Sequence, residues 1–304
     1  MHVILVAGGW SNERDVSLSG AKGVGRAIEA LGHDLTVVDL SDGFGDLIAS
    51  ARTADFAFIN LHGSPGEDGL VQAVLDSVGC PYQGTGPAGS FLALHKAASK
   101  SVLRAKGLPT PDWDFLPAPP PGDWRPTVGY PLFAKPNMGG SSVGMRPVRT
   151  PGELGPALET IFAMGEEALL EAFVPGREIT CSVLDGTPLP LIAIRPLGDS
   201  EFFDYTAKYT PQMAEEICPA PIEPGLARRI GELAVAAHEA LGLEGYSRAD
   251  FMVLDGEPTI LEVNTLPGMT PTSLLPQAAA EAGLDFENLI ARLMELGLAR
   301  GGKA

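Results

Sequence analysis

The chain has 304 residues, 45% of them hydrophobic and 19% charged, and a formal net charge of −17. That length supplies two or three domains' worth of core in an ordinary soluble globular protein. The acidic balance argues against a nucleic-acid partner, which would need a basic face to displace counterions from phosphate; an anionic ligand would have to be held by local positive charge and metal. Cys80, Cys181 and Cys218 are far apart and form no C-x-x-C pair, which fits a reducing cytosol and offers no zinc site. The apolar start HVILVAGG is too short for a signal segment and runs straight into Asn12, Glu13, Arg14 and Asp15. No apolar run is long enough to span a bilayer, so a soluble, cytoplasmic protein with no membrane partner is expected.

The first part of the chain alternates strand and helix. VILVA reads as a buried strand, residues 18–31 as a helix ended by Gly32, and DLTVVDL and DFAFINL as two further strands, with a helix over 70–78. This alternation predicts an α/β fold whose parallel sheet is covered on both faces. Ligands bind beyond the carboxyl ends of such strands. Two loops leave those ends, GGWSNERDVS and HGSPGEDG.

Gly84, Gly86 and Gly89 match G-x-G-x-x-G and open a helix. A dinucleotide reading fails because only a very short apolar piece precedes them and no acid between Ser90 and Pro111 could hold a ribose. The next helix carries Lys96 and Lys100 one turn apart on one face. PAPPPGDWRP (117–126) is a stiff polar connector. YPLFAKP is then a strand ending in Lys135, followed at once by the glycine-serine loop NMGGSSVGM (137–145). Backbone amides of such a loop can wrap phosphate oxygens and its serines add donors. It is not a Walker A loop, because no G-K-[ST] follows.

A helix over 154–162 leads to ALLEAFVPGREITCSVL, with Glu171, Arg177 and Glu178 as its polar residues, and ITCSVL and LPLIAIRP read as strands around Gly186. Residues 198–221 read as one long polar loop with Lys208 and Tyr209 at its chemical tip, the kind of segment that serves as a lid or binding loop. Helices are expected over 226–241, 273–282 and 286–298. Between them, FMVL and TILEV flank Asp255 and Gly256 as a β-hairpin. Glu262 and Asn264, two apart, share one strand face. With Asp250 opposite, three hard oxygen donors would suit Mg²⁺ completed by substrate phosphates. Arg248 shares the face of Asp250 and suggests stabilisation of developing negative charge. An exposed acidic hairpin with an ordinary salt bridge is the alternative at the level of this motif alone.

In order and spacing, AGGWSNERDVSLSG, LHGSPGEDG, LHKAASK, KPNMGGSSVGM, DYTAKYT, SRADF and LEVNTLPGMTPTSL resemble the D-alanine–D-alanine ligases of the ATP-grasp superfamily, nearly end to end. The resemblance implies an N-terminal α/β domain (1–92) followed by a two-lobed ATP-grasp fold, with a central lobe (93–175) and a C-terminal lobe bearing the metal site (176–304). It implies that Lys96 and Lys135 contact the ATP α- and β-phosphates, Lys208 the γ-phosphate, and Ser142 the nucleotide from the glycine-serine loop. Glu171 matches the adenine-recognising acid, Val174 a backbone contact to adenine, and Glu178 the ribose-binding acid. Asp250, Glu262 and Asn264 match the ligands of two Mg²⁺ (or Mn²⁺) ions. Glu13 matches the acid that holds the first D-alanine's ammonium, with Ser141 and Tyr209 completing its hydrogen-bonded triad. His62 and Glu67 line that amino-acid site. Arg248 and the Gly268 amide would hold the oxyanion, and Ser273 and Leu274 the second carboxylate.

The implied reaction phosphorylates the first D-alanine with ATP and lets the amine of the second attack the acyl phosphate, for peptidoglycan precursor synthesis. The loop 139–144 and the segment 204–210 would cover the intermediate and exclude water. Tyr209, neutral where depsipeptide-forming relatives tend to carry histidine, favours an amine acceptor over D-lactate; D-serine or D-lactate as acceptor is the alternative. The family is usually dimeric through its N-terminal domain, and the resemblance therefore implies a homodimer. Three positions depart from the family's pattern: Asp15 in D-V-S-L, His95 in L-H-K, and the uncharged surroundings of Met138.

Overall fold

A computed structural model describes residues 1–11, 13–140, 143–197 and 214–301. The chain forms three sheets in sequence order, each with its own hydrophobic core.

The first sheet contains β1 (His2–Ala7), β2 (Asp34–Asp39) and β3 (Phe56–Ile59), all parallel in the order β2-β1-β3. Every side chain from Val3 to Ala7 is fully buried. Successive side chains on a strand point to opposite faces, so both faces of β1 are covered. α1 (Arg14–Ala30), α2 (Gly45–Ala51) and α3 (Leu70–Val78) follow these strands. The helix expected over 18–31 therefore begins a turn earlier, with Asp15 in its first turn, where a carboxylate complements the helix dipole. Ser17 fixes that start: its hydroxyl accepts from the Gly8 amide at 2.9 Å and donates to the Asn60 carbonyl, joining the ends of β1 and β3 to α1. The last two helices, α8 (Leu274–Glu281) and α9 (Phe286–Gly301), return to this core, where Leu275, Leu289, Ile290 and Leu293 pack among Ile4, Val24 and Ile28.

The segment matching G-x-G-x-x-G opens α4 (Pro87–Leu94), and its first and third glycines serve close packing. A Cβ on Gly84, at φ +80°, would meet the Tyr246 ring at 3.1 Å, and one on Gly89 would meet Thr85 at 2.5 Å. His95 leaves the helical conformation at ψ 89° and starts α5 (Lys96–Ala105), accepting from the Ala98 amide through Nδ1 at 3.2 Å. An imidazole thus serves as the N-cap acceptor.

The second sheet is antiparallel, with β4 (Trp113–Leu116), β5 (Leu132–Pro136), β6 (Arg146–Val148) and β7 (Ala168–Ala172) in the order β4-β7-β5-β6, and α6 (Pro151–Ala163) packs on it. The third contains β8 (Arg177–Leu184), β9 (Thr187–Pro188), β10 (Ile192–Pro196), β11 (Ala214–Ile217), β12 (Tyr246–Leu254) and β13 (Glu257–Asn264), in the order β11-β10-β8-β12-β13 with β9 on β8. α7 (Pro224–Ala240) covers one face, where Ile230, Ala234 and Ala237 pack on Ile179, Cys181 and Phe251. β11 corrects the reading of 198–221 as one loop: Ala214–Ile217 pairs antiparallel with β10. Asp255 and Gly256, at φ 50° and 81°, close the expected hairpin, the left-handed pair that suits tightly joined strands.

Candidate active site

Strand register sets out the carboxylate end of the site. Residues paired across strands share a face, so three rows cross one side of the third sheet: Ile194, Glu178 and Met252; Thr180, Asp250 and Glu262; Ser182, Arg248 and Asn264. The intervening residues Ile179, Cys181, Ala249, Phe251 and Val263 lie in the core beneath α7. A bulge between Asp250 and Phe251 places Leu261 opposite no partner, so Leu261 and Glu262, though consecutive, both line the site.

Asp250 is buried and firmly held. Arg248 donates to it twice, from Nε to Oδ1 at 2.8 Å and from Nη2 to Oδ2 at 2.9 Å, and the Thr180 hydroxyl donates to Oδ1 at 2.7 Å. Burial alone would lower the pKa of Arg248, but Asp250 and then Glu262 and Glu67 outweigh it and the value is raised; the guanidinium stays charged. Asn264 accepts from the Leu266 amide at 2.9 Å, which turns the chain out of β13.

The cationic end comes from α5 and the second sheet. Lys96, first residue of α5, sends Nζ to the Gly139 carbonyl at 2.5 Å and lies 3.8 Å from Glu262 Oε2. Buried Asn137 pins this helix start to the end of β5, accepting from the Ala97 amide at 3.0 Å, while its own carbonyl accepts from the Lys96 amide at 3.2 Å. Burial lowers the pKa of Lys96, opposed by Glu262. Lys135 pairs with Glu171 across β5 and β7, Nζ to Oε1 at 3.1 Å, and Lys100 reaches Oε2 of the same carboxylate at 2.5 Å. The Lys100 approach is an ion pair off the hydrogen-bonding direction, since Oε2 has no hydrogen bond. Burial would raise the pKa of Glu171, but Lys135 and Lys100 more than offset this and hold it below the ordinary range.

Between the two sheets lies a cavity of about 930 Å³. Lys96, Lys135, Glu171, Val174, Glu178, Asp250 and Glu262 all line it, with Phe133, Phe173, Ile194, Met252 and Leu261 as apolar walls. The structure thus collects on one cavity most of the residues singled out for a nucleotide and metal.

The remaining predicted residues gather beside it. Glu13 stands at the N-cap of α1 without capping it. A Cβ on Gly140 would come within 3.0 Å of Glu13 Oε2 and one on Gly63 within 3.5 Å, so the loops after β3 and β5 both close on this carboxylate. His62 lies 3.8 Å from Glu67. A Cβ on Gly268 would meet Ser273 Oγ at 2.8 Å and His62 Cε1 at 3.9 Å, which brings the residues before α8 against the loop after β3. Ser273 is the N-cap of α8 and Leu274 its first residue; Ser273 Oγ accepts from the Thr270 amide at 3.1 Å. Ser141, Ser142, Lys208 and Tyr209 lie outside the described residues. Thr180 and the Glu171 partnership of Lys100 were missed from sequence. The spacing of Lys96 and Lys100 was the available signal for the second, and nothing marked the first.

Two antiparallel sheets closing on a cavity of this size, with lysines from one and a carboxylate hairpin from the other, define the ATP-grasp class. Residues 102–295 match the family model described as D-ala D-ala ligase C-terminus. The D-alanine–D-alanine ligase of Nitratidesulfovibrio vulgaris (strain DP4) is 59% identical over 304 residues, with 100% of each chain covered. That of Oleidesulfovibrio alaskensis is 57% identical, covering 100% of this chain and 98% of the relative. The crystal structure of the Bacillus anthracis D-alanine–D-alanine ligase superposes with a TM-score of 0.90 at 38% identity, covering 100% and 99% of the two chains. A structure of that ligase complexed with ATP gives 0.88 at 35% identity, with the same coverage. The chain belongs to the D-alanine–D-alanine ligase family.

Proposed function

We propose that the chain joins two D-alanines into D-alanyl-D-alanine at the expense of ATP, releasing ADP and phosphate, for cell-wall precursor synthesis. The observation that carries the site assignment is that Lys96, Lys135, Asp250 and Glu262, from four separate elements, face one cavity. In this reading adenine lies toward Glu171 and Val174, the ribose toward Glu178, and the phosphates run along Lys135 and Lys96 toward the hairpin. Lys208 and Ser142 complete the nucleotide contacts.

The donor set on the hairpin consists of hard oxygens on one sheet face, which fits Mg²⁺ or Mn²⁺. Two such ions would be held by Asp250, Glu262 and Asn264 and would neutralise phosphate charge there.

The chain's own residues do the rest. Glu13, with Ser141 and Tyr209, positions the ammonium of the first D-alanine, and His62 and Glu67 line its pocket. Its carboxylate attacks the γ-phosphate in line, giving D-alanyl phosphate, in a step where positioning and charge neutralisation dominate. The carboxylate of the second D-alanine sits at Ser273 and the amide of Leu274, at a helix N-terminus that favours anions. As its amine attacks, Arg248 and the Gly268 amide stabilise the oxyanion.

The division into 1–92, 93–175 and 176–304, the homodimer and a cytoplasmic location are part of this proposal. Among the described residues no helix is long and apolar enough to cross a membrane. ADP release should depend on D-alanine as well as ATP, with the dipeptide as product. ATP turnover indifferent to D-alanine, or a preference for D-lactate at pH 7, would refute it.

A further inference from the structure

Lys100 has no part in the reaction just described, yet it is 1% exposed and among the largest fully buried side chains. It is not on the cavity wall, so it cannot touch a nucleotide. Its ammonium is held from behind by the Thr110 hydroxyl at 2.8 Å and lies 6.0 Å from the centre of the Trp113 ring. In front it meets Glu171 Oε2 at 2.5 Å. Burying this cation is costly, and a lysine with no solvent and no ligand contact must act through its partner.

Glu171 is that partner, 4% exposed at the cavity wall. Its other oxygen is taken by Lys135 at 3.1 Å. Two ammonium groups on one buried carboxylate keep it charged, and a charged carboxylate only accepts hydrogen bonds. Without Lys100, the acid would have one cation left. With Oε2 released, the carboxylate would turn about its remaining contact to Lys135, or take up a proton and become a donor.

We propose that Lys100 is a positioning residue for nucleotide selectivity: by pinning Oε2 from behind, it presents Glu171 to the cavity as an acceptor that favours a 6-amino purine over a 6-oxo purine. This rests on the placement of adenine at Glu171 given above. A 6-amino group donates to a carboxylate; a 6-oxo group presents an oxygen and is repelled.

The test compares ATP with inosine triphosphate, which carries an oxo group at position 6 and a proton on the neighbouring N1, in the wild type, Lys100→Met, Lys100→Arg and Glu171→Gln. Lys100→Met should lower the ATP-over-ITP ratio of kcat/KM about tenfold, the size of one charge-assisted hydrogen bond. The loss should appear in the KM for ATP with kcat within about twofold, and Lys100→Arg should restore most of it. If Glu171→Gln loses the preference while Lys100→Met keeps it, the proposal is overturned. If Glu171→Gln leaves the preference intact, the adenine placement itself is wrong.

Should Lys100→Met fail to fold, the pH profile of the wild type against Lys100→Arg decides. Burial pushes the Lys100 ammonium down to about 8, against Glu171 and with Lys135 lowering it further; Glu262 is the other charged group facing it. The KM for ATP should therefore rise above about pH 8 more steeply in the wild type than in the arginine variant, where the alkaline dependence left is that of Lys96, whose pKa burial also lowers. Superimposable profiles would overturn the proposal.

Discussion

Replacing Arg248 separates its observed pairing with Asp250 from the oxyanion role proposed for it. In Arg248→Met the bonds of 2.8 and 2.9 Å to Asp250 are lost, while the 2.7 Å bond from Thr180 remains. Breaking a buried ion pair by removing one partner costs about 3–5 kcal/mol, a large share of a total stability of about 5–15 kcal/mol. At about 2.1 cal/mol/K of unfolding entropy per residue, that corresponds in a chain of 304 residues to a melting temperature lower by roughly 5–8 °C. Arg248→Lys keeps the charge but replaces a fork with a point charge and should lose less. Arg248→Met/Asp250→Asn removes both charges and should regain most of the stability. Activity should not return: loss of an oxyanion donor costs about 10²–10³ in rate. Thermal melts and coupled ADP release at saturating ATP and D-alanine measure the two effects on the same samples. A Met variant with kcat within threefold of wild type would refute the oxyanion role. One that melts with the wild type would refute the buried-pair argument.

Gly268→Ala places a methyl 2.8 Å from Ser273 Oγ, pushing that hydroxyl off its Thr270 partners at 3.1 and 2.7 Å. The KM for the second D-alanine should rise about tenfold with ATP affinity unchanged, the scale of one lost hydrogen bond; a changed ATP affinity alone would contradict the placement. Gly176, at φ +141°, would put a Cβ 2.4 Å from the Val253 carbonyl, so Gly176→Ala should lower the melting temperature and weaken ATP together. Burial holds the pKa of His238 below its ordinary 6.5. Because the unfolded chain then binds the proton more readily, stability falls as pH drops below about 6.5 toward the folded value. Melts from pH 7 to 5 should show this slope, and His238→Asn should flatten it. Chelation should abolish ADP release and Mg²⁺ or Mn²⁺ restore it, with Glu262→Gln requiring more metal.

Much of the fold is legible where burial is two-sided or turn chemistry is strong. VILVA and FAFI are continuous apolar runs because both faces of the first sheet are covered. Asp255 and Gly256 mark the hairpin because its turn needs left-handed backbone. The carboxylate pattern proposed to hold metal is legible because Asp250 and Glu262 are direct cross-strand partners. β11 was not: Ala-Glu-Glu-Ile at a sheet edge carries two adjacent acids, with Glu215 paired to Arg195, so it reads as polar loop. The bulge at Leu261 gives no periodic signal until pairing exists. The return of α9 to the first core is a long-range choice, since its apolar stripe would suit any partner face. For the same reason the four-residue spacing of Lys96 and Lys100 announced a shared helix face, but not that one would meet Gly139 and the other Glu171.

The most direct measurement is isothermal titration of ATP with Mg²⁺ into the wild type, Lys135→Ala and Glu262→Gln, each followed by addition of D-alanine and quantification of D-alanyl-D-alanine. Both substitutions should weaken nucleotide binding, and dipeptide should form in proportion to ADP only when D-alanine is present. Undiminished nucleotide binding in both variants, or ADP formed without dipeptide by the wild type, would contradict the account.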